Sequence, residues 1–303
     1  MLFKFVQPRI TICLLLLVTL AKGVVWSILI PPWHAPDENN HFEYAQIIER
    51  FGMLHPDPGL WRLRELSLSW TIAQIYPVRF DPSRILDLSD RNTIAEQLHQ
   101  LDDPAVKRGY IYDDGAPFYG FRSFTYGHAP LYYLIGGVVQ SWFEDKSIMV
   151  RILANRWFSV FLGVVAVALA YRAGKEIWRS QAWACFLATL VSFQPMMSFI
   201  TSVIGDGAPG IVMLSACTVV MLRVIRDGWT VRRAIALAIL VSLSLLARTS
   251  LVILIPLLIV LFVWDSKRFA KGTGFNQTVL ASAALIFLSV CRSPDGGKKQ
   301  WPR

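Results

Sequence analysis

Seven stretches of this chain are apolar and close to membrane-spanning length, and that limits its fold more than any other feature. They are residues 10–30, 152–171, 182–204, 208–222, 234–247, 249–264 and 278–291. A hydrocarbon layer about 30 Å thick takes about 20 residues of helix to cross. Backbone amides inside it must be satisfied within the segment, so only helices and closed barrels can span it. These runs are continuous rather than alternating, so the sequence predicts an all-α integral membrane protein with about seven transmembrane helices. Flanking Lys and Arg can extend the shorter runs by snorkelling, with Trp157, Trp178 and Trp264 at the interfaces. Composition agrees: 54% of residues are hydrophobic and 17% charged, against about 25% charged in soluble domains. Disorder, collagen and coiled coil are excluded by the same numbers.

The net charge of +9 would suit a nucleic-acid binder if it were gathered on one surface, but it is not. Residues 31–150 hold 16 of the 21 acidic residues and only 10 of the 30 basic ones. The other basic residues fall in short runs between apolar segments: Lys4 and Arg9, then Arg172, Lys175 and Arg179. Arg223, Arg226, Arg232 and Arg233 follow, and then Lys267, Arg268 and Lys271. The intervening loops around Asp206 and Arg248 carry almost no positive charge. Placing all the basic runs in the cytoplasm satisfies the positive-inside rule and excludes a nucleic-acid partner. The expected address is a plasma or inner membrane, crossed several times and in contact with its lipids.

The division that follows is a first transmembrane helix at 1–30, an extracytoplasmic loop at 31–150, a helical bundle at 151–291 and a polar tail at 292–303. Counting 131–143 as a span would turn the later basic runs outward. That segment is therefore expected as an interfacial helix, with Tyr132, Tyr133 and Trp142 at the membrane surface. The first apolar run resumes at Val24 after Lys22, longer than a signal peptide's core, and reads as an uncleaved anchor. The tail after residue 291 reads as the end of an N-terminal portion of something longer. Cys13, Cys185, Cys217 and Cys291 all lie in apolar segments without CxxC spacing, and read as small core residues.

The densest polar run is Pro31-Pro-Trp-His-Ala-Pro-Asp37-Glu38-Asn-Asn-His41-Phe-Glu43, placed where the first helix leaves the membrane. Three prolines end that helix. Asp37 and His41 are four apart and would share a helix face, with Glu38 beside them. A carboxylate pair next to a His suits general-base work; the competing reading is that Asp37 or Asn39 caps the next helix. A second run, Phe124-Thr-Tyr-Gly-His128-Ala-Pro130-Leu-Tyr132-Tyr133, can equally be an aromatic membrane belt with His128 starting a helix. Asp206 and Arg248 are isolated charges in tight apolar loops, costly there unless they have a partner or a task. Arg248 has the planar fork that binds phosphate; Arg151, Arg156 or a divalent metal ion are its alternatives.

Taken in order, these runs resemble the GT-C membrane glycosyltransferases, including protein O-mannosyltransferases and aminoarabinose transferases. Pro36-Asp37-Glu38 resembles the family's first-loop motif, and His128-Ala129-Pro130-Leu131 its His-Pro-Pro-Leu signature with Ala in the second place. Gln194-Pro195 followed by Asp206 fits the same pattern. The resemblance implies a polyprenyl-phosphate-linked sugar as donor, used on the extracytoplasmic face. Asp37 and Glu38 would then be catalytic, with His41, His128, Tyr132, Asp206 and Arg248 binding substrate. The rival readings are a multi-pass transporter or flippase, which would place charges in mid-membrane, and a non-catalytic scaffold, which would leave the Asp-Glu-His run unexplained.

Overall fold

A computed structural model describes residues 8–52 and 127–269, together with scattered positions between 62 and 111. The apolar segment 278–291, Cys291 and the polar tail lie outside the described residues. Helix α1 (Pro8–Leu29) opens on a proline, tolerated in a first turn where the amide has no partner. It ends before Pro31 and Pro32, which cannot continue the amide ladder. A short turn leads into α2 (Glu38–Phe51), and α3 (Leu131–Ser141) packs beside α2. Helix α4 (Ile148–Trp178) is the central element, touching α1, α3, α5 (Gln181–Phe193) and α7 (Gly207–Asp227). The chain continues through α6 (Pro195–Ile200), α8 (Val231–Ala247), a 3-10 turn (Thr249–Ile253) and α9 (Leu254–Phe269). Among the described residues the only strands are β1 (Arg62–Leu63) and β2 (Tyr110–Ile111), an antiparallel pair with Arg62 opposite Ile111.

The chain is thus a helical membrane protein. Ile10–Leu29, Ile148–Trp178 and Gly207–Asp227 are long and apolar enough to cross a membrane, while Gln181–Phe193 and Thr249–Trp264 are apolar but shorter. Outward-facing Leu17, Val25, Phe161, Phe186 and Val260 are exposed, as lipid-facing side chains are. Trp157, Trp178 and Trp264 are exposed as well.

The helices approach closely where side chains are small, the usual device when no hydrophobic driving force acts between helices in lipid. A Cβ on Gly174 of α4 would lie 2.7 Å from the Ala184 Cα of α5.

Three expectations need correction. Segment 182–204 is not one helix. Pro195 brings no amide to the ladder, Gln194 turns to an extended backbone, and the Gln194 side chain accepts the Met197 amide to start α6. Lys22 of α1 donates to the Ser192 carbonyl just before the break and stands 4.8 Å from the Phe193 ring centroid. Segment 249–264 likewise opens as a 3-10 turn rather than an α-helix. Of the cysteines, Cys185 and Cys217 are buried but Cys13 is exposed, since an apolar side chain needs no core when its solvent is lipid.

The bundle has two distinct ends. At one, Glu176 accepts from Arg223 at 2.7 Å and from Arg226, while Asp227 accepts from Arg226 at 2.7 Å and Arg233 at 3.2 Å. Helix α9 runs toward this end, its Leu261 packing with Val224 and Leu237. At the other end lie α2, α3, the first turns of α4 and the loops at 201–206 and 248.

The α4–α5 contact is directly testable. Gly174→Val should destabilise the protein by about 1–3 kcal/mol, the usual cost of overpacking, read as a lower melting temperature in detergent. Phe161→Leu, on the exposed face, should leave it unchanged.

Candidate functional site

Polar helices are rarely buried, because each side chain then needs a partner. Every residue of α2 from Glu38 to Ile48 is nevertheless buried. The apolar members Phe42, Tyr44, Ala45, Ile47 and Ile48 join Trp33, Tyr132, Tyr133, Ile148, Ile152 and Ile204 in one core. That core forms a packed cap over the end of the bundle. Tyr132 and Tyr133 were expected at the membrane surface, but they are 1% and 0% exposed in the middle of this cap. Aromatic rings suit a core as well as an interface, and α3 turns them inward. Trp142 alone of the three is exposed, at 76%.

The cap is fastened by Glu38 and Arg156. The Glu38 carboxylate accepts from Arg156 Nε at 2.7 Å and Nη2 at 2.6 Å, a bidentate pair in which both residues are at most 1% exposed. It also accepts the backbone amides of Trp33 at 3.0 Å and Ile204 at 3.1 Å. Arg156 spends its remaining donors on the carbonyls of Ser27, Ile30 and Pro31. All five guanidinium N–H groups are thereby used, and the end of α1, the start of α2, α4 and the loop at 204 are held together. Arg151 Nη2 donates to Glu65, which also accepts from Gln46 at 3.3 Å, while the buried Arg151 Nε has no hydrogen-bond partner among the described residues. Both arginines are buried in ion pairs, whereas the Arg248 side chain is open to a ligand. Glu38, expected to be catalytic, has both oxygens occupied and serves here as a structural anchor.

Beside this anchor His41, His128, Tyr132, Asp206 and Arg248 converge, while among the described residues no side-chain contact joins Asp37 to them. His41 Nδ1 is 2.7 Å from the Tyr133 hydroxyl, and His128 Nδ1 is 3.2 Å from that same oxygen. The two imidazole centroids are 5.8 Å apart. His128 Nδ1 also lies 3.5 Å from Asp206 Oδ2, and Arg248 Nη1 lies 3.8 Å from Asp206 Oδ1. Tyr132 accepts the Gly205 amide at 3.0 Å and meets Ser159 at 3.3 Å, which fixes the loop carrying Asp206. Gly210 makes room for Arg248 to lie across α7: a Cβ there would be 3.1 Å from Arg248 Cδ. His128 and Arg248 remain 40% and 43% exposed in their side chains, within reach of a ligand.

Asp37 stands one turn before His41, whose amide bonds to the Asp37 carbonyl at 2.9 Å. It occupies the N-cap position, yet its side chain makes no capping bond. It is exposed, and its backbone is left-handed at φ 56, a conformation that costs a non-glycine residue about 1–3 kcal/mol and gathers at functional sites. Capping by the Asp37 side chain is thus not what holds this helix start.

Burial sets the charge states. Desolvation lowers the His41 pKa to about 4, against the smaller opposing influence of Asp206. Burial raises Tyr132 to about 12 and Tyr133 further still, so both hydroxyls keep their protons at neutral pH. Among the described residues no group of three His, Cys, Asp or Glu side chains is gathered to hold a metal ion. Tyr133 was missed as a site residue; its one signal was its place in the run from His128 to Tyr133.

Two outcomes follow. Glu38→Ala should cost about 3–5 kcal/mol, because it strands a buried guanidinium; thermal unfolding in detergent measures it. An imidazole NMR titration should find His41 neutral until the pH nears 4. An unfolded His takes its proton near pH 6.5 (about that value in model peptides). The stability owed to neutral His41 is therefore whole above that pH and is lost as the pH falls toward the folded value.

No curated protein and no solved structure matches the chain. The sequence model described as "Predicted membrane protein (DUF2142)" matches residues 20–299, from the middle of α1 through the whole of the described bundle. The chain belongs to the DUF2142 family of predicted membrane proteins.

Proposed function

We propose that this protein is a multi-pass membrane transferase that takes a sugar from a polyprenyl-phosphate donor on the extracytoplasmic face. The observation that carries the reading is the convergence of His41, His128, Asp206 and Arg248 from four distant parts of the chain. They meet at the end of the bundle opposite the Arg223–Glu176 ion pairs. Positive charge favours the cytoplasm, so the site faces away from it. The resemblance of Asp37-Glu38 and His128-Ala-Pro-Leu to GT-C motifs supplies the substrate class.

The chemistry needs two things from the protein. An acceptor hydroxyl forms a bond to the anomeric carbon as the bond from that carbon to the phosphate oxygen breaks. The polyprenyl phosphate leaves with the electron pair, and the hydroxyl proton passes to a base. Exposed Asp37 is suited to take the proton, and Arg248 to steady the leaving phosphate. A bound phosphate would compete with Asp206 for the Arg248 guanidinium.

One observation favours a second reading. Lys22 meets a helix broken at Pro195 inside the apolar bundle, and discontinuous helices with intramembrane charges are common in transporters. Movement of the lipid-linked donor across the membrane, without sugar transfer, would mark that alternative.

The test is transfer of radiolabelled sugar from polyprenyl phosphate in membranes with and without the protein. Asp37→Asn should lower the rate by about 10²–10⁴, the worth of a general base, without loss of insertion. Arg248→Lys keeps the charge but loses the fork, and should weaken donor affinity by about 1–3 kcal/mol. Unchanged rates in both variants would overturn the reading. Sidedness is checked by Asp145→Cys and Gln181→Cys: only the first should label in intact cells with an impermeant maleimide.

A further inference from the structure

The Tyr133 hydroxyl has one proton and two imidazole nitrogens beside it, His41 Nδ1 at 2.7 Å and His128 Nδ1 at 3.2 Å. It can donate to only one of them, so the other must donate to it. Asp206 decides which. A bare lone pair on His128 Nδ1 would face the Asp206 carboxylate at 3.5 Å, lone pair against lone pair. A proton on that nitrogen is instead attracted to both Asp206 and the Tyr133 oxygen. Tyr133 then gives its own proton to His41, whose buried ring is neutral and carries its hydrogen on Nε2.

We infer that Asp206 and Tyr133 are positioning residues that lock His128 as the Nδ1–H tautomer, so that its Nε2 lone pair accepts a hydrogen bond from a ligand hydroxyl. The two ring nitrogens of His128 lie on opposite sides of the imidazole. Nδ1 is occupied by Tyr133 and Asp206, which leaves Nε2 as the ring nitrogen for a ligand on a side chain that is 40% exposed. A lone pair there repels phosphate oxygens and attracts a hydroxyl. Asp206 therefore divides the site. Its Oδ2 prepares His128 for a hydroxyl, and its Oδ1 lies 3.8 Å from Arg248, the cation for the phosphate. Resting on the proposed transfer reading, this places the sugar hydroxyls of the donor toward His128 and the phosphate toward Arg248.

The groups around this pair are His41 from α2, Tyr132 and Tyr133 from α3, Asp206 before α7 and Arg248 after α8. The Arg248 cation lies on the far oxygen of Asp206, which leaves the near one to His128.

The experiment is imidazole ¹⁵N NMR of the full chain in lipid nanodiscs at neutral pH without donor, with His41→Gln and His128→Gln used for assignment. The expected result is a pyrrole-type Nδ1 and pyridine-type Nε2 for His128, and the reverse for His41. A charge-assisted hydrogen bond predicts a tautomer preference of about tenfold or more for His128. Tyr133→Phe should release His41 into a tautomer mixture while His128 holds its own through Asp206. Asp206→Ala should release His128. A pyridine-type Nδ1 on His128 in the unaltered protein, or no response of either ring to these variants, would overturn the inference.

A second arm adds a polyprenyl phosphate and, separately, its hexosyl ester. The ester alone should move the His128 Nε2 signal. If the tautomers are as stated and neither lipid moves it, the lock stands, while the hydroxyl assignment and the lipid-linked donor both fail.

Discussion

One buried ion pair decides where everything else at the site can be. Glu38 and Arg156 meet in bidentate fashion, and their remaining bonding capacity goes to backbone groups of Ser27, Ile30, Pro31, Trp33 and Ile204. Buried ion pairs seldom add much net stability, because desolvation offsets most of the attraction. Their strength is directional: a planar fork and a planar carboxylate allow one arrangement and penalise its neighbours. Here the arrangement joins the exit of α1 to the start of α2, and it holds the loop whose next residues are Gly205 and Asp206. The left-handed residues Trp33 and Asp37 flank this anchor.

His41, His128, Asp206 and Arg248 therefore sit just outside this buried pair. Tyr132 repeats the logic on a smaller scale, reaching the Gly205 amide from α3. Such a frame lets His128 and Arg248 stay partly exposed without being loose, because the groups they lean on are fixed from behind. At the opposite end of α4 the ion pairs among Glu176, Arg223, Arg226, Asp227 and Arg233 are more exposed. They are worth correspondingly little in stability, and tie helix ends together where the chain meets water.

Much of this was legible in the sequence. Helices α1, α4 and α7 announced themselves by hydropathy, and the alternation of basic and uncharged loops sorted the two ends. His41 could be singled out beside Asp37 and Glu38, His128 in the run that ends at Tyr133, and Asp206 and Arg248 as isolated charges. What sequence could not supply was pairing at a distance. Glu38 finds Arg156 across 118 positions, and Arg151 finds Glu65 across 86, so Glu38 looked available and the two arginines looked like spare phosphate ligands. Tyr132 and Tyr133 were placed at the surface because an aromatic belt and an aromatic core have the same letters. The break at Pro195 was hidden by uninterrupted hydropathy on both sides, and only its missing amide betrays it.

Helix α4 runs for 31 residues without a break, about 46 Å at 1.5 Å per residue. A bilayer's hydrocarbon is about 30 Å thick, so a rigid rod of this length must stand proud of it or lean. Arg151 and Arg156 ride on its first three turns, and the cap rides on them. The depth of the site is accordingly tied to how the rod sits in the lipid. A thicker bilayer would draw the cap down toward the acyl chains, and a thinner one would lift it or increase the tilt. Membrane thickness becomes a mechanical setting for the height at which a lipid headgroup meets the protein.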